Sequence, residues 1–259
     1  MNTRKQLTNG CMLAALTLLY GVDAAWSSDW NFVPEPAEYA VWPEHCRVQY
    51  SYVTHSSNEY GPNYSQTDIA EWRDRIGEKT FIGIHHYCAA LIYLNRIRFQ
   101  ADPQQRNFLL NNAIADAAFT YTRTDTQSVV FPNVAVVMAQ TRFENKEPDA
   151  AVKILEQAIE AQPQRTEAYE ALAAIYRKQR NTARALEVLE RADTAVTGQS
   201  AEITYNLGLL QVEAGKLDAA VESARRAYEL GYPLPGLRNK LQKLGHWPPP
   251  ASTADGNPQ

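Results

Sequence analysis

Apolar and small residues recur along this chain at helical spacing, and the spacing itself recurs. In residues 201–214, Ile203, Leu207 and Leu210 mark one apolar stripe, and Gly215 ends the run. In residues 216–230, Leu217, Ala220, Val221, Ala224, Ala227 and Tyr228 mark a second. Positions three and four apart share a helix face, so this pattern predicts a helix, a tight turn and a helix. Upstream, Pro148 stands where it opens a helix whose inward residues are Val152, Leu155, Ala158 and Ile159, and Pro163 breaks the chain after it.

The pattern is periodic over about 34 residues. Met138, Leu172 and Leu207 occupy one place in three successive units. Ala139, Ala173 and Gly208 follow them directly, and Ala151, Ala185 and Ala220, then Ala158, Ala192 and Ala227, keep the same phase, with one residue inserted before the third unit. Two short helices cannot bury their apolar faces alone, so each pair must stack on the next and share a continuous core. These residues, Asn206-Leu207-Gly208 with Ala220 and Ala227 above all, resemble the tetratricopeptide repeat family. The resemblance runs from Pro132 to about Pro233. It departs from the usual pattern at Ala135 and Thr204, which replace larger residues, and at Arg142 and Gln211, which replace an aromatic. The expected fold is therefore all-α, a right-handed helical-repeat solenoid, with three repeats over residues 132–233.

The flanks read differently. Thr80 to Phe99 and Gln104 to Thr122 predict an antiparallel pair broken at Asp102-Pro103, a divergent hairpin with its loop over residues 80–131. Leu237, Leu241 and Leu244 behind Pro233 and Pro235 predict a capping helix over 234–246, and 247–259 reads as a disordered tail. Residues 25–79 carry many rings and prolines with little periodicity and are expected to wrap onto the helices irregularly, apart from a short capped helix from Ser65 to Arg75 with Asp68 near its start. Arg4 and Lys5 precede an apolar run from Cys11 to Tyr20 and the small-residue sequence Val22-Asp23-Ala24. This predicts a signal peptide over 1–24, export across an inner membrane, a periplasmic destination in a Gram-negative cell, and no membrane-spanning segment after cleavage.

The formal charge of −4 becomes −5 once Arg4, Lys5 and Asp23 are removed. With no basic stripe to hold phosphates, nucleic acid is not an expected partner. No nucleophile elbow, phosphate-cradling loop or His-Glu-x-x-His helix occurs, so catalysis and a cofactor are not expected either.

Two clusters carry candidate chemistry. Cys46 and Cys88 are the two cysteines beyond the leader, and in an oxidising compartment they favour a disulfide closing a loop of about 40 residues. Alternatively His45, Cys46, His85, His86 and Cys88 gather as a metal or haem site, since thiolate with imidazole suits zinc or copper. The second cluster follows from the family resemblance, which implies a concave groove lined by the first helix of each unit. The matching positions are Val136, Val137, Gln140, Phe143 and Glu144; Glu167, Glu170, Ala174, Arg177 and Lys178; and Tyr205, Asn206, Leu209, Val212 and Glu213. Such a groove would hold a protein or peptide segment, with Arg177 and Lys178 meeting an acidic group. The expected function is an adaptor that assembles or stabilises a cell-envelope complex. The partner and the oligomeric state are not specified by the sequence.

Overall fold

A computed structural model of the protein describes residues 33–54, 60 and 64–247. The signal peptide expected over 1–24 and the tail beyond Trp247 lie outside the described residues. Within them every regular element is α-helical: α1 (Pro36–Val41), α2 (Glu44–Val53), α3 (Gln66–Ile76), α4 (Glu78–Ile97), α5 (Pro103–Tyr121), α6 (Phe131–Glu144), α7 (Pro148–Ala161), α8 (Glu167–Lys178), α9 (Thr182–Ala195), α10 (Ala201–Glu213), α11 (Leu217–Glu229) and α12 (Gly236–Lys243).

The three repeats are the pairs α6–α7, α8–α9 and α10–α11, and each first helix packs against the second helix of the pair before it. The in-phase residues are the ones the stacking buries. Leu172, Ala151, Ala185, Ala220, Ala192 and Ala227 are completely enclosed, and Met138 and Leu207 nearly so. Gly208 shows why a small residue stands at a crossing: a Cβ there would lie 2.5 Å from Leu237 Cδ2 of α12 and 3.2 Å from Ser223 Cβ of α11. Leu237 and Leu241 bury the end of the stack that no further pair covers.

The turns inside the three pairs repeat as well. Lys146, Arg180 and Gly215 sit at matching positions with φ of 65°, 60° and 74°. The amide of the following residue bonds back to the last turn of the first helix, from Glu147 to Arg142 O, Asn181 to Tyr176 O and Lys216 to Gln211 O at 2.8–2.9 Å. This is the left-handed helix stop that glycine adopts without cost and side-chain-bearing residues do not. The first two units therefore carry strain that the third avoids. Lys146→Gly and Arg180→Gly should each stabilise the fold by about 0.5–1 kcal/mol, the relieved strain being partly offset by the freer unfolded chain. Urea unfolding of each variant reads the gain directly.

The same packing continues toward the N-terminus. α4 and α5 form the divergent hairpin, with Asp102 capping α5 through a 2.7 Å bond from the Gln105 amide. Ahead of them α2 and α3 pack on α4 as a further pair would. The Ser65–Asp68 capping box that starts α3 was legible in the sequence. The expectation of an irregular aromatic segment is corrected here, because residues 36–41 and 44–53 are helical. The prolines are helix starts: Pro36 occupies the first turn of α1 and Pro43 directly precedes α2, where a missing amide costs nothing. Tyr39, Trp42, Cys46 and Tyr50 then recur at helical intervals and face inward. Glu38 fixes α1 to α4 by a bidentate pair with Arg96, both contacts 2.7 Å.

At the other end, Trp247 stands edge-on to Tyr228 with centroids 6.0 Å apart, packed rather than loose where the sequence suggested the start of a tail. No described helix is long and apolar enough to cross a membrane.

Candidate functional site: the inner face of the helical array

Successive first helices lie side by side, α4 beside α6 and α6 beside α8, while α10 stacks on the α8–α9 pair. Two adjoining hollows open along this face. The larger, about 280 Å³, lies between three helices. Leu91, Leu94 and Asn95 of α4, with Arg98 just past its end, form one wall, Gln140, Phe143 and Glu144 of α6 the floor, and Ala171, Ala174, Ile175 and Lys178 of α8 the other wall. The smaller, about 150 Å³, is bounded by Glu170, Ala173, Ala174 and Arg177 of α8, Leu189 of α9, and Asn206, Leu209 and Leu210 of α10. Ala174 borders both, so the two hollows form one track.

Of the groove positions expected from sequence, the structure gathers Gln140, Phe143, Glu144, Ala174 and Lys178 around the first hollow and Glu170, Arg177, Asn206 and Leu209 around the second. Others are elsewhere. Tyr205 is buried, stacked on Tyr232 with centroids 4.0 Å apart and edge-on to Tyr228, because the chain after α11 folds back over α10. Val212 packs in that same terminal cluster, Val137 is core, and Val136 packs against the core. Glu167 is engaged by Arg165. The α4 wall was missed because the divergent hairpin lacks the repeat markers; the signal available was its position one unit before α6.

The charges are not disposed as expected. Arg177 does not stand open for an acidic ligand, since its guanidinium holds Glu213 at 2.6 and 3.3 Å. Glu144 accepts a 2.7 Å bond from Arg106 and has Lys178 Nζ at 4.0 Å, and that ammonium also stands 5.0 Å from the Phe143 ring centroid. Glu170 is the exception. Its Oε1 is covered and accepts no hydrogen bond. Burial, with Glu202 and Glu167 nearby, pushes its carboxyl up to about 7 from an ordinary 4.5.

A carboxyl raised in the folded state favours folding while protonated. That contribution is complete below about pH 4.5 and is lost as pH rises through 7. Glu170→Gln should therefore stabilise the protein by about 1–2 kcal/mol at pH 8, less than the full shift implies because the side chain is partly open to water. At pH 4 it should have no effect. Denaturant melts of both proteins at the two pH values test this.

The His and Cys residues lie apart from this track. Cys46 of α2 and Cys88 of α4 form a disulfide spanning 42 residues of sequence. Both sulfurs are thereby unavailable as thiolate ligands, and the metal alternative is corrected on that ground and on geometry. His45 is 7% exposed and packed between Trp72 and Tyr87, with centroids 5.6 and 5.4 Å away. His85 Nδ1 meets the Ile82 carbonyl at 2.9 Å, and His86 Nδ1 meets Asp116 Oδ1 at 2.6 Å. Among the described residues no three His, Cys, Asp or Glu side chains converge to hold a metal ion.

Residues 133–232 match the family described as the TT21 fifth ARM repeats domain. No curated protein matches the chain significantly. Among solved structures, MamA from Desulfovibrio magneticus RS-1 is 18% identical, with a TM-score of 0.41 over 61% of this chain and 86% of its own. YrrB, described as a TPR protein with an unusual peptide-binding site, is 14% identical, with a TM-score of 0.45 over 76% of this chain and 90% of its own. The in-phase buried residues, the repeated turns and the stacked pairs together make this chain an α-helical-repeat protein built of stacked helix pairs.

Proposed function

We propose that the protein is an interaction scaffold that works by binding, not catalysis, and that it holds a segment of a partner protein along the track between α4 and α10. The observation that carries this reading is the pair of adjoining hollows. Each has an apolar lining from Leu91, Leu94, Phe143 and Ile175 or from Leu189, Leu209 and Leu210, edged by polar groups, as a peptide-holding surface requires. The basic, apolar start of the chain and its disulfide support a site of action outside the inner membrane, in assembly or stabilisation of an envelope complex.

A photo-crosslinking amino acid at Ala174, expressed in the source cells, should yield a discrete adduct with a partner chain. The same group at Glu222, on the exposed side of α11, should not. Equal labelling from both positions, or none from Ala174, would remove the groove as the working surface. Export is tested separately by the intact mass of the protein, which should correspond to a chain beginning at Ala25.

A further inference from the structure

We propose that the hollow between α8 and α10 is a seat for one basic side chain, a lysine or arginine, of the bound segment, with Glu170 taking its cation. This deepens the groove-binding reading and rests on it.

The chemistry of the hollow is specific. Glu170 brings to the lining a carboxyl whose Oε1 is enclosed and accepts no hydrogen bond, and whose ionised form has no cation to compensate it. Burying a carboxyl without a counter-charge disfavours its ionised form, and a cation carried into the hollow beside it by a ligand offsets that cost. The one cation among the lining residues, Arg177, is already committed to Glu213 at 2.6 Å, so it does not neutralise Glu170. Ala173, Ala174, Leu189, Leu209 and Leu210 give apolar walls, which suit the methylene stem of a lysine or arginine, and Asn206 adds a second polar group. Glu202 and Glu167 act on the Glu170 carboxyl as further negative charge, so the local field favours a cation. The neighbouring hollow is different in kind, larger and bordered by Arg98 and Lys178, so the track distinguishes its two ends by charge. A segment with a basic residue at one end and an apolar one beside it fits in a single direction.

Random dodecapeptides displayed on phage can be selected on the purified protein, and the enriched sequences resynthesised with each lysine or arginine replaced by norleucine. Peptides that compete for the track, judged by loss of binding to Ala174→Trp, should carry a basic residue. They should bind Glu170→Gln about 30-fold more weakly, as expected when one partner of an enclosed charge pair is removed, and the norleucine replacement should cost as much. Circular dichroism and a urea melt of Glu170→Gln at the binding pH separate loss of binding from loss of structure. Peptides that need Ala174 but bind Glu170→Gln unchanged, or that carry no basic residue, overturn the seat and leave the groove reading standing. If no selected peptide depends on Ala174, both fall.

Discussion

Replacing Cys46 and Cys88 together with alanine should lower the unfolding free energy by about 2–4 kcal/mol, the range for a bond that closes a loop of this length. The loss should be unevenly distributed. The bond joins the first helices of two adjacent pairs, α2 and α4, and in a stacked array each pair contacts only its neighbours. Hydrogen exchange should therefore accelerate in α1, α2 and α3 while α8 to α11 keep their protection. Uniform acceleration along the chain would show instead that all the pairs open as one unit, and the nearest-neighbour description would fail.

A second large effect is expected on acidification. His45 is enclosed by Trp72 and Tyr87, and burial, with Arg75 adding positive charge, pulls its pKa down to about 4 from 6.5. The folded protein thus holds the imidazole neutral at pH values where the unfolded chain protonates it. This contribution to stability is complete above pH 6.5 and disappears as pH falls through 4, a loss of about 3 kcal/mol. His45→Phe keeps a ring in the aromatic packing and cannot titrate. The variant should lose much less stability than the parent between pH 7 and pH 4, as read by urea melts at each pH. Equal losses in the two proteins would exclude His45 as the source. Glu170 acts in the opposite direction, so the two groups can be separated by single substitutions in one set of melts.

The repeats were legible because their residues answer to local rules that hold wherever a helix pair stacks. Leu172 must fill the space between helices, Ala185 must let backbones approach, and Pro148 fits the first turn of a helix. α1 and α2 are harder to see: Tyr39, Trp42, Cys46 and Tyr50 carry a helical interval, but the prolines beside them mask it while serving as helix starts. Tyr205 shows a different limit. On its own helix it falls on the inner face, and only the return of residues 230–237 over α10 decides that it is covered. The pairing of Arg177 with Glu213, 36 residues apart, is likewise fixed by how one pair rotates on the next, which no local pattern records.

Charge also bridges these junctions. Arg106 to Glu144, Arg177 to Glu213, Arg191 to Glu156 and Arg226 to Asp193 each tie one helix pair to its neighbour, and all four lie at least partly open to solvent. Such contacts contribute little to folding and weaken as salt screens them, whereas the apolar packing within and between the pairs does not. The molecule is in this respect a coil spring with ionic clasps between its turns. Added salt should loosen the clasps alone, because one continuous apolar core runs through every turn from α1 to α10.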